Sequence, residues 1–378
     1  MRRRELLKWT TASLAGLGAE ALFAGRRMPM SLQTENGSLP FDRMAGHIVR
    51  ALRPSSGERA ILRHDPTLLP ELLPSTRRQL ESEGAKVEAM PYGAAEDFEQ
   101  RLAQTDIYVW LPARPGPSGN TTPEQAAALV RWLDAGRGRQ IHFHWGDGTR
   151  NEDGGSGQHS LEFDRVYVDA LEIDYAALDR QMEAVIAKLR SGEVRVQTRA
   201  GTDIRFHVGD RPFCKQNGDA SLERMKAARV RIDREIELPA GALRVAPIEE
   251  SVKGRIVIPR ANLGGADARD IELKFDKGQI HSIDAAGNKE MVKRTFLANP
   301  PLRHFREFAL GMNPKLLRPA GSSWIPYYGY GAGVVRLSLG DNEELGGNVR
   351  GGTVRWFSFP DATVGVGTAV LSEKGVLR

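Results

Sequence analysis

From Phe41 to Trp145 the apolar positions switch between two periods. Met44, Ile48, Val49 and Leu52 share one side of a 3.6-residue repeat, which predicts a helix over Phe41–Leu52. Short apolar runs at Arg59–Arg63, Lys86–Met90, Asp106–Leu111 and Arg139–Trp145 predict strands. Pro70–Gly84, Glu96–Gln104 and Thr122–Leu133 predict helices between them, the last opened by Thr122-Pro123-Glu124, a polar cap followed by a proline suited to the first turn. This rhythm predicts an α/β domain over residues 40–150 on a mostly parallel sheet. Past Asp164 the pattern changes. Tyr175–Arg190 is one more amphipathic helix, with Leu178, Met182, Val185, Ile186 and Leu189 on one side. Beyond it, Glu193–Thr198 and Asp203–Val208 form a hairpin around Arg199–Thr202. Glu235–Leu238, Gly254–Pro259, Asp270–Phe275 and Gln279–Ile283 are further strands, and Lys277-Gly278 is a hairpin turn. Residues 160–378 therefore read as an α+β domain, mainly antiparallel β.

Ahead of the first helix stands a basic stretch, Arg2 to Lys8, and a mild apolar run from Trp9 to Phe23 that Glu20 interrupts. The run is too short and too weak for a stable membrane span. Arg3-Arg4-Glu5-Leu6-Leu7-Lys8 resembles the twin-arginine export signal, with Leu6 where phenylalanine is commonest. Residues 1–24 are then a signal peptide cleaved near Ala24, and the protein is exported, periplasmic or extracellular; the alternative is an uncleaved amphipathic helix. The net charge of +5, with no basic run after the leader, argues against nucleic acid as a main partner. The lone Cys214 excludes an intrachain disulfide framework and a cysteine metal cluster.

The candidate chemistry centres on GVVRLSLGDNEELGGNVRGGTVRWFSF, Gly333–Phe359. It opens as a strand, turns through two glycine-rich segments and closes on a second strand. Two upstream pieces belong with it, VAPIEESVKGRIVI (Val245–Ile258) and REFALGMNP (Arg306–Pro314). Together they bring Glu249 or Glu250, Glu307, Arg336 and Arg355 to strand ends, where active sites are commonly built. The order of these motifs resembles the metallo-aminopeptidases of the aminopeptidase T and aminopeptidase S group. GEVRVQTRAGTDIRF and LPAGALRVAP add to the likeness, which is close over the C-terminal half and loose over the N-terminal half. The resemblance implies an aminopeptidase T-like fold, a homodimer, and two metal ions, usually zinc or cobalt, between carboxylates and histidines. Glu249 and Glu307 match the family's two glutamates. Arg336 stands where a histidine is expected, Glu343 where a tyrosine is expected, and Arg355-Trp356-Phe357 where the family has His-Trp-Asp. A slip of one residue would put Val354 at that histidine.

A guanidinium keeps its proton and cannot ligate a metal, but it pairs with carboxylates through parallel hydrogen bonds. Arg336 and Arg355 are therefore expected to neutralise Glu249 and Glu307 in place of the ions; the alternative puts them on a solvated strand face. A second candidate site is HFHWGD, where His142 and His144 share one strand face and Asp147, with His159 further along, follows on a loop. Two imidazoles and a carboxylate could hold a metal with open positions, or they are a polar strand face or substrate contacts. Trp324, Tyr327, Tyr328 and Tyr330, on a glycine-rich loop, form a ligand wall, a self-packed loop or a dimer contact. The favoured function is an exported, aminopeptidase-like protein with a degenerate metal site and no favoured cofactor, binding a small molecule or peptide. The alternatives are a structural or interaction protein, or a metalloenzyme with a rearranged site. The last would be a peptidase or a ring-opening dioxygenase like a related branch of the superfamily. It would use zinc, cobalt, manganese or iron on Glu249, Glu250, Glu307 and Glu343, with His142 and His144.

Overall fold

The computed structural model describes residues 39–93, 96–113, 121–145, 150–151, 161–263, 266–318 and 324–378; the leader, Asp147 and His159 lie outside them. The first third gives α1 (Phe41–Leu52), β1 (Arg59–His64), α2 (Leu72–Ser82), β2 (Lys86–Pro91), α3 (Phe98–Leu102), β3 (Ile107–Trp110), α4 (Pro123–Asp134) and β4 (Arg139–Phe143). The helix α4 starts on a capping box, with Thr122 and Gln125 satisfying each other's backbone N–H groups. Next come β5 (Arg150–Asn151), α5 (Leu161–Leu171), α6 (Tyr175–Arg190), β6 (Val194–Gln197), β7 (Asp203–Phe206), β8 (Cys214–Gln216), α7 (Leu222–Ala227), β9 (Glu235–Leu238) and β10 (Ala242–Val245). The chain continues through β11 (Lys253–Leu263), β12 (Ala266–Asp276), β13 (Gln279–Asp284), α8 (Lys289–Leu297), β14 (Phe305–Gly311), β15 (Trp324–Ile325) and β16 (Val335–Gly340). It ends with β17 (Val354–Phe359), β18 (Thr363–Val366), β19 (Ala369–Glu373) and β20 (Val376–Leu377).

Three larger sheets result. One is parallel, in the order β2-β1-β3-β4-β9, and two are antiparallel, β17-β16-β14-β10-β8 and β13-β12-β11-β7-β6-β18-β19-β20. The molecule is thus mixed α/β, with parallel and antiparallel sheets. One strand departs from the sequence reading. Glu235–Leu238 was expected among the antiparallel strands, yet β9 runs parallel to β4 and completes the first sheet. Its local pattern is compatible with either sheet; long-range pairing decides.

That pairing positions the site. On one face of the parallel sheet, Leu62, Val109, Ile141, Phe143, Ile236 and Leu238 are buried in the main core with residues of α1, α5 and α6. On the other face, Ile61, Tyr108 and Trp110 pack with Phe98 of α3 and Leu129 and Trp132 of α4. Further along that second face, β4 and β9 carry Gln140, His142, Glu235 and Glu237 instead. The antiparallel sheet β17-β16-β14-β10-β8 has a matching division. Leu243, Phe308, Leu310 and Leu337 enter the core, and Arg244, Glu307, Arg336 and Ser338 share the opposite face. The two polar faces are tied where Gln216 of β8 donates to the Glu235 carbonyl (3.0 Å) and accepts from the Glu237 N–H (2.8 Å).

The Lys277-Gly278 turn forms as expected: Asp276 pairs with Gln279, and both central residues have positive φ. A Cβ on Gly278 would lie 2.4 Å from the Glu249 carbonyl, so only glycine lets this hairpin close against the turn that carries Glu249.

Candidate functional site: a buried arginine–glutamate cluster and a histidine pair

Glu307 is fully buried on β14. Arg244 Nε donates to its Oε1 at 2.5 Å and Arg336 Nη2 to the same oxygen at 3.0 Å. Its Oε2 accepts from Arg306 and, at 3.2 Å, from Ser338 Oγ. Strand pairing explains the convergence. Arg244 and Arg336 both lie opposite Ala309, and Ser338 lies opposite Glu307, so all three project beside it. Arg306 is the exception, because neighbours on a regular strand point to opposite faces. A break in register between Phe305 and Glu307 leaves Arg306 bulged out of the ladder, which turns it toward its neighbour's carboxylate. Glu344 completes the cluster, paired with Arg306 and, at 3.2 Å, with Arg244.

Burial would raise the pKa of Glu307, but Arg244, Arg336 and Arg306 outweigh it and hold the carboxyl well below its usual range. Glu344 is likewise held low against burial, chiefly by Arg306 and Arg244. Both carboxylates are ionised near neutral pH. Arg336 also lies 5.0 Å from the Trp356 ring centre and 5.5 Å from that of Tyr330, so its cation is covered by π-faces.

Tyr330 links this cluster to the histidines through a hydrogen bond from its hydroxyl to Glu237. Glu237 lies opposite His142 in the β4–β9 register. One ligand atom from each of His142, His144 and Glu237 lies within 4.8 Å of the others. Aromatic rings surround the pair: His144 is 5.0 Å from Trp110, 5.4 Å from Tyr327 and 5.3 Å from Tyr328 between ring centres. The tyrosines of the glycine-rich loop are buried, and Trp324 packs on Phe163 at 6.0 Å. A cavity of about 630 Å³ lies elsewhere, beside α1 and α6, bordered by Arg50, Arg53, Tyr175, Asp179 and Asp219.

The other expected positions scatter around the cluster. Glu249 sits in a short turn, paired with Arg211, and accepts from Asn342 Nδ2 (3.2 Å) and the Asn348 N–H (2.9 Å). Its ion-pair partner is thus neither Arg336 nor Arg355. Glu343 pairs with Arg350 at the surface, while its neighbour Glu344 turns inward. Arg355 lies opposite Leu339 and donates to the Asn262 carbonyl at 3.3 Å; it is Trp356, opposite Ser338, that shares the face of Arg336. Asp147 lies outside the described residues. The structure adds Arg244, Arg306, Glu344 and Glu237 to the candidate residues.

No family model matches the chain, and no curated protein matches it. Among solved structures, 2,5-dihydroxypyridine dioxygenase from Pseudomonas putida KT2440 superposes with a TM-score of 0.61 at 17% identity, over 89% of this chain and 96% of that one. Wild-type AmpT from Thermus thermophilus gives a TM-score of 0.57 at 14% identity, over 89% and 98%. The chain shares their fold. At such identities the likeness extends to architecture and no further.

The divalent metal that the family resemblance implies at Glu249 and Glu307 does not fit the residues present. Both Glu307 oxygens already accept hydrogen bonds, from three guanidinium groups and a hydroxyl. A dication there would meet those cations at short range in a buried setting, where repulsion is weakly screened.

Proposed function

We propose that this protein has the aminopeptidase T-like fold but binds a small molecule or peptide, and does not carry out metal-assisted peptide hydrolysis at the Glu307 position. The observation that carries this reading is the caging of Glu307 by Arg244, Arg306 and Arg336. Hydrolysis by a metal-bound water needs carboxylates free to ligate and an open coordination position. Here the carboxylate is spent on permanent cations. The cavity beside α1 has the volume of a small-molecule site and carries both signs of charge, in Arg50, Arg53, Asp179 and Asp219. It suits a small ligand with both signs, such as a free amino acid or a short peptide. In the same reading residues 1–24 direct export, and the protein works as a homodimer.

The test is an assay of the mature chain on aminoacyl p-nitroanilides with added zinc, cobalt or manganese, beside a thermal-shift screen of short peptides and amino acids. The expected result is no metal-stimulated release, with stabilisation by at least one ligand that Asp179→Asn weakens. Metal-dependent turnover that disappears in Glu307→Gln would overturn the proposal.

A further inference from the structure

We propose that His142, His144 and Glu237 form a binding site for one divalent transition-metal ion, of which zinc is the best match. The site has no residue in common with Glu249 or Glu307, so it goes beyond the functional reading above and either can fail alone.

Two strands build it. His142 and His144 are two residues apart at the end of β4, and β9 places Glu237 directly opposite His142. The resulting trio has one ligand atom each within 4.8 Å of the others, a spread that small side-chain rotations close to a coordination sphere. Two imidazoles and one carboxylate form a donor set suited to zinc, which would complete its four-coordinate shell with a further ligand.

The surroundings are those of a supported site. The Glu235 carboxyl group stands 3.4 Å from His142 Nδ1, a placement that can orient a metal-bound histidine through its second nitrogen. Tyr330 fixes the Glu237 carboxylate by hydrogen bonding to its Oε2. Trp110, Tyr327 and Tyr328 pack on the His144 ring, which limits it to small adjustments. Gln140 lies against His142 Nε2 and is the group an ion there would displace. In contrast to the Glu307 cage, neither imidazole carries an obligatory charge, and a neutral histidine accepts a cation.

The experiment uses the full chain, stripped with chelator, dialysed against zinc and against cobalt, and read by metal mass spectrometry and by the visible absorption of bound cobalt. The expected result is one ion per chain in the wild type and in Glu249→Gln, with binding lost in His144→Gln and in Glu237→Gln. Circular dichroism establishes that each variant is folded; Glu237→Gln preserves side-chain shape if His144→Gln does not fold. Glu235 is a positioning residue, and Glu235→Gln should weaken zinc binding by about tenfold to a hundredfold without abolishing it. A wild type that takes up no metal, or metal that persists in folded Glu237→Gln and is lost in Glu249→Gln, would overturn the proposal.

Discussion

The Glu307 cage and the His142–Glu237 trio lie on two different sheets and are joined through Tyr330; Glu307 is fully buried and Glu237 partly so. They answer the cost of burying that charge differently. The antiparallel sheet surrounds Glu307 with guanidinium groups, whose charge is permanent. The parallel sheet gives Glu237 a phenol and two imidazoles, whose charge is conditional. A carboxylate closed in by fixed cations is a structural joint. One set among neutral nitrogen ligands keeps its affinity for a cation. Tyr330 thus couples a carboxylate held by permanent cations to one held by conditional ones.

The largest effect is expected from opening the cage. Glu307→Ala leaves three buried guanidinium groups without their shared partner and is expected to cost about 3–5 kcal/mol, measured by urea unfolding at neutral pH. A loss under about 1 kcal/mol would mean that the arginines relax onto other partners. Next comes the metal. At free zinc a hundredfold above the dissociation constant, wild-type stability should rise by about 2.7 kcal/mol, read as a higher melting temperature, and Glu237→Gln should show no rise. The third prediction concerns acid. Glu307 and Glu344 have folded pKa values below the usual 4.5, so their contribution is complete above that pH and is lost as pH falls below it toward the folded values. Unfolding midpoints should therefore drop from pH 5 to pH 3 in the wild type, and less steeply in Glu307→Gln. The smallest effect belongs to the surface: Glu343→Ala, which removes an exposed pair with Arg350, should change stability by no more than about 0.5 kcal/mol.

Much of this architecture was readable along the chain. The α/β rhythm from Phe41 to Phe143 and the helix Tyr175–Arg190 appear where the periodicity places them, because local amphipathicity and burial agree there. The site was less legible, for identifiable reasons. Arg306 enters the cluster only through a bulge, and alternation assigns it to the wrong face. Glu343 and Glu344 are adjacent in a short helical turn, and sequence alone does not say which one points inward. Arg355 and Trp356 differ by one step of a strand, which exchanges their faces. For Glu237 a signal did exist. Gln140-Ile141-His142-Phe143 and Glu235-Ile236-Glu237-Leu238 share the same polar–apolar alternation, as two strands of one sheet do when their faces are of opposite character.

The parallel pairing of β9 with β4 also bears on how the chain reaches this structure. During synthesis four strands of the first sheet emerge together, but β9 follows only after α5, α6 and the β6–β7 hairpin have been made. Until then β4 is an edge strand, with its backbone groups and two histidines presented to whatever strand is nearest. Completing the sheet requires closing that long intervening loop, which makes it a late event and leaves a period in which a nascent chain can pair with its neighbour instead. The strand that delivers Glu237 to the histidines is therefore also the one that covers the edge of β4, so β4 is paired at the same moment that the trio is assembled.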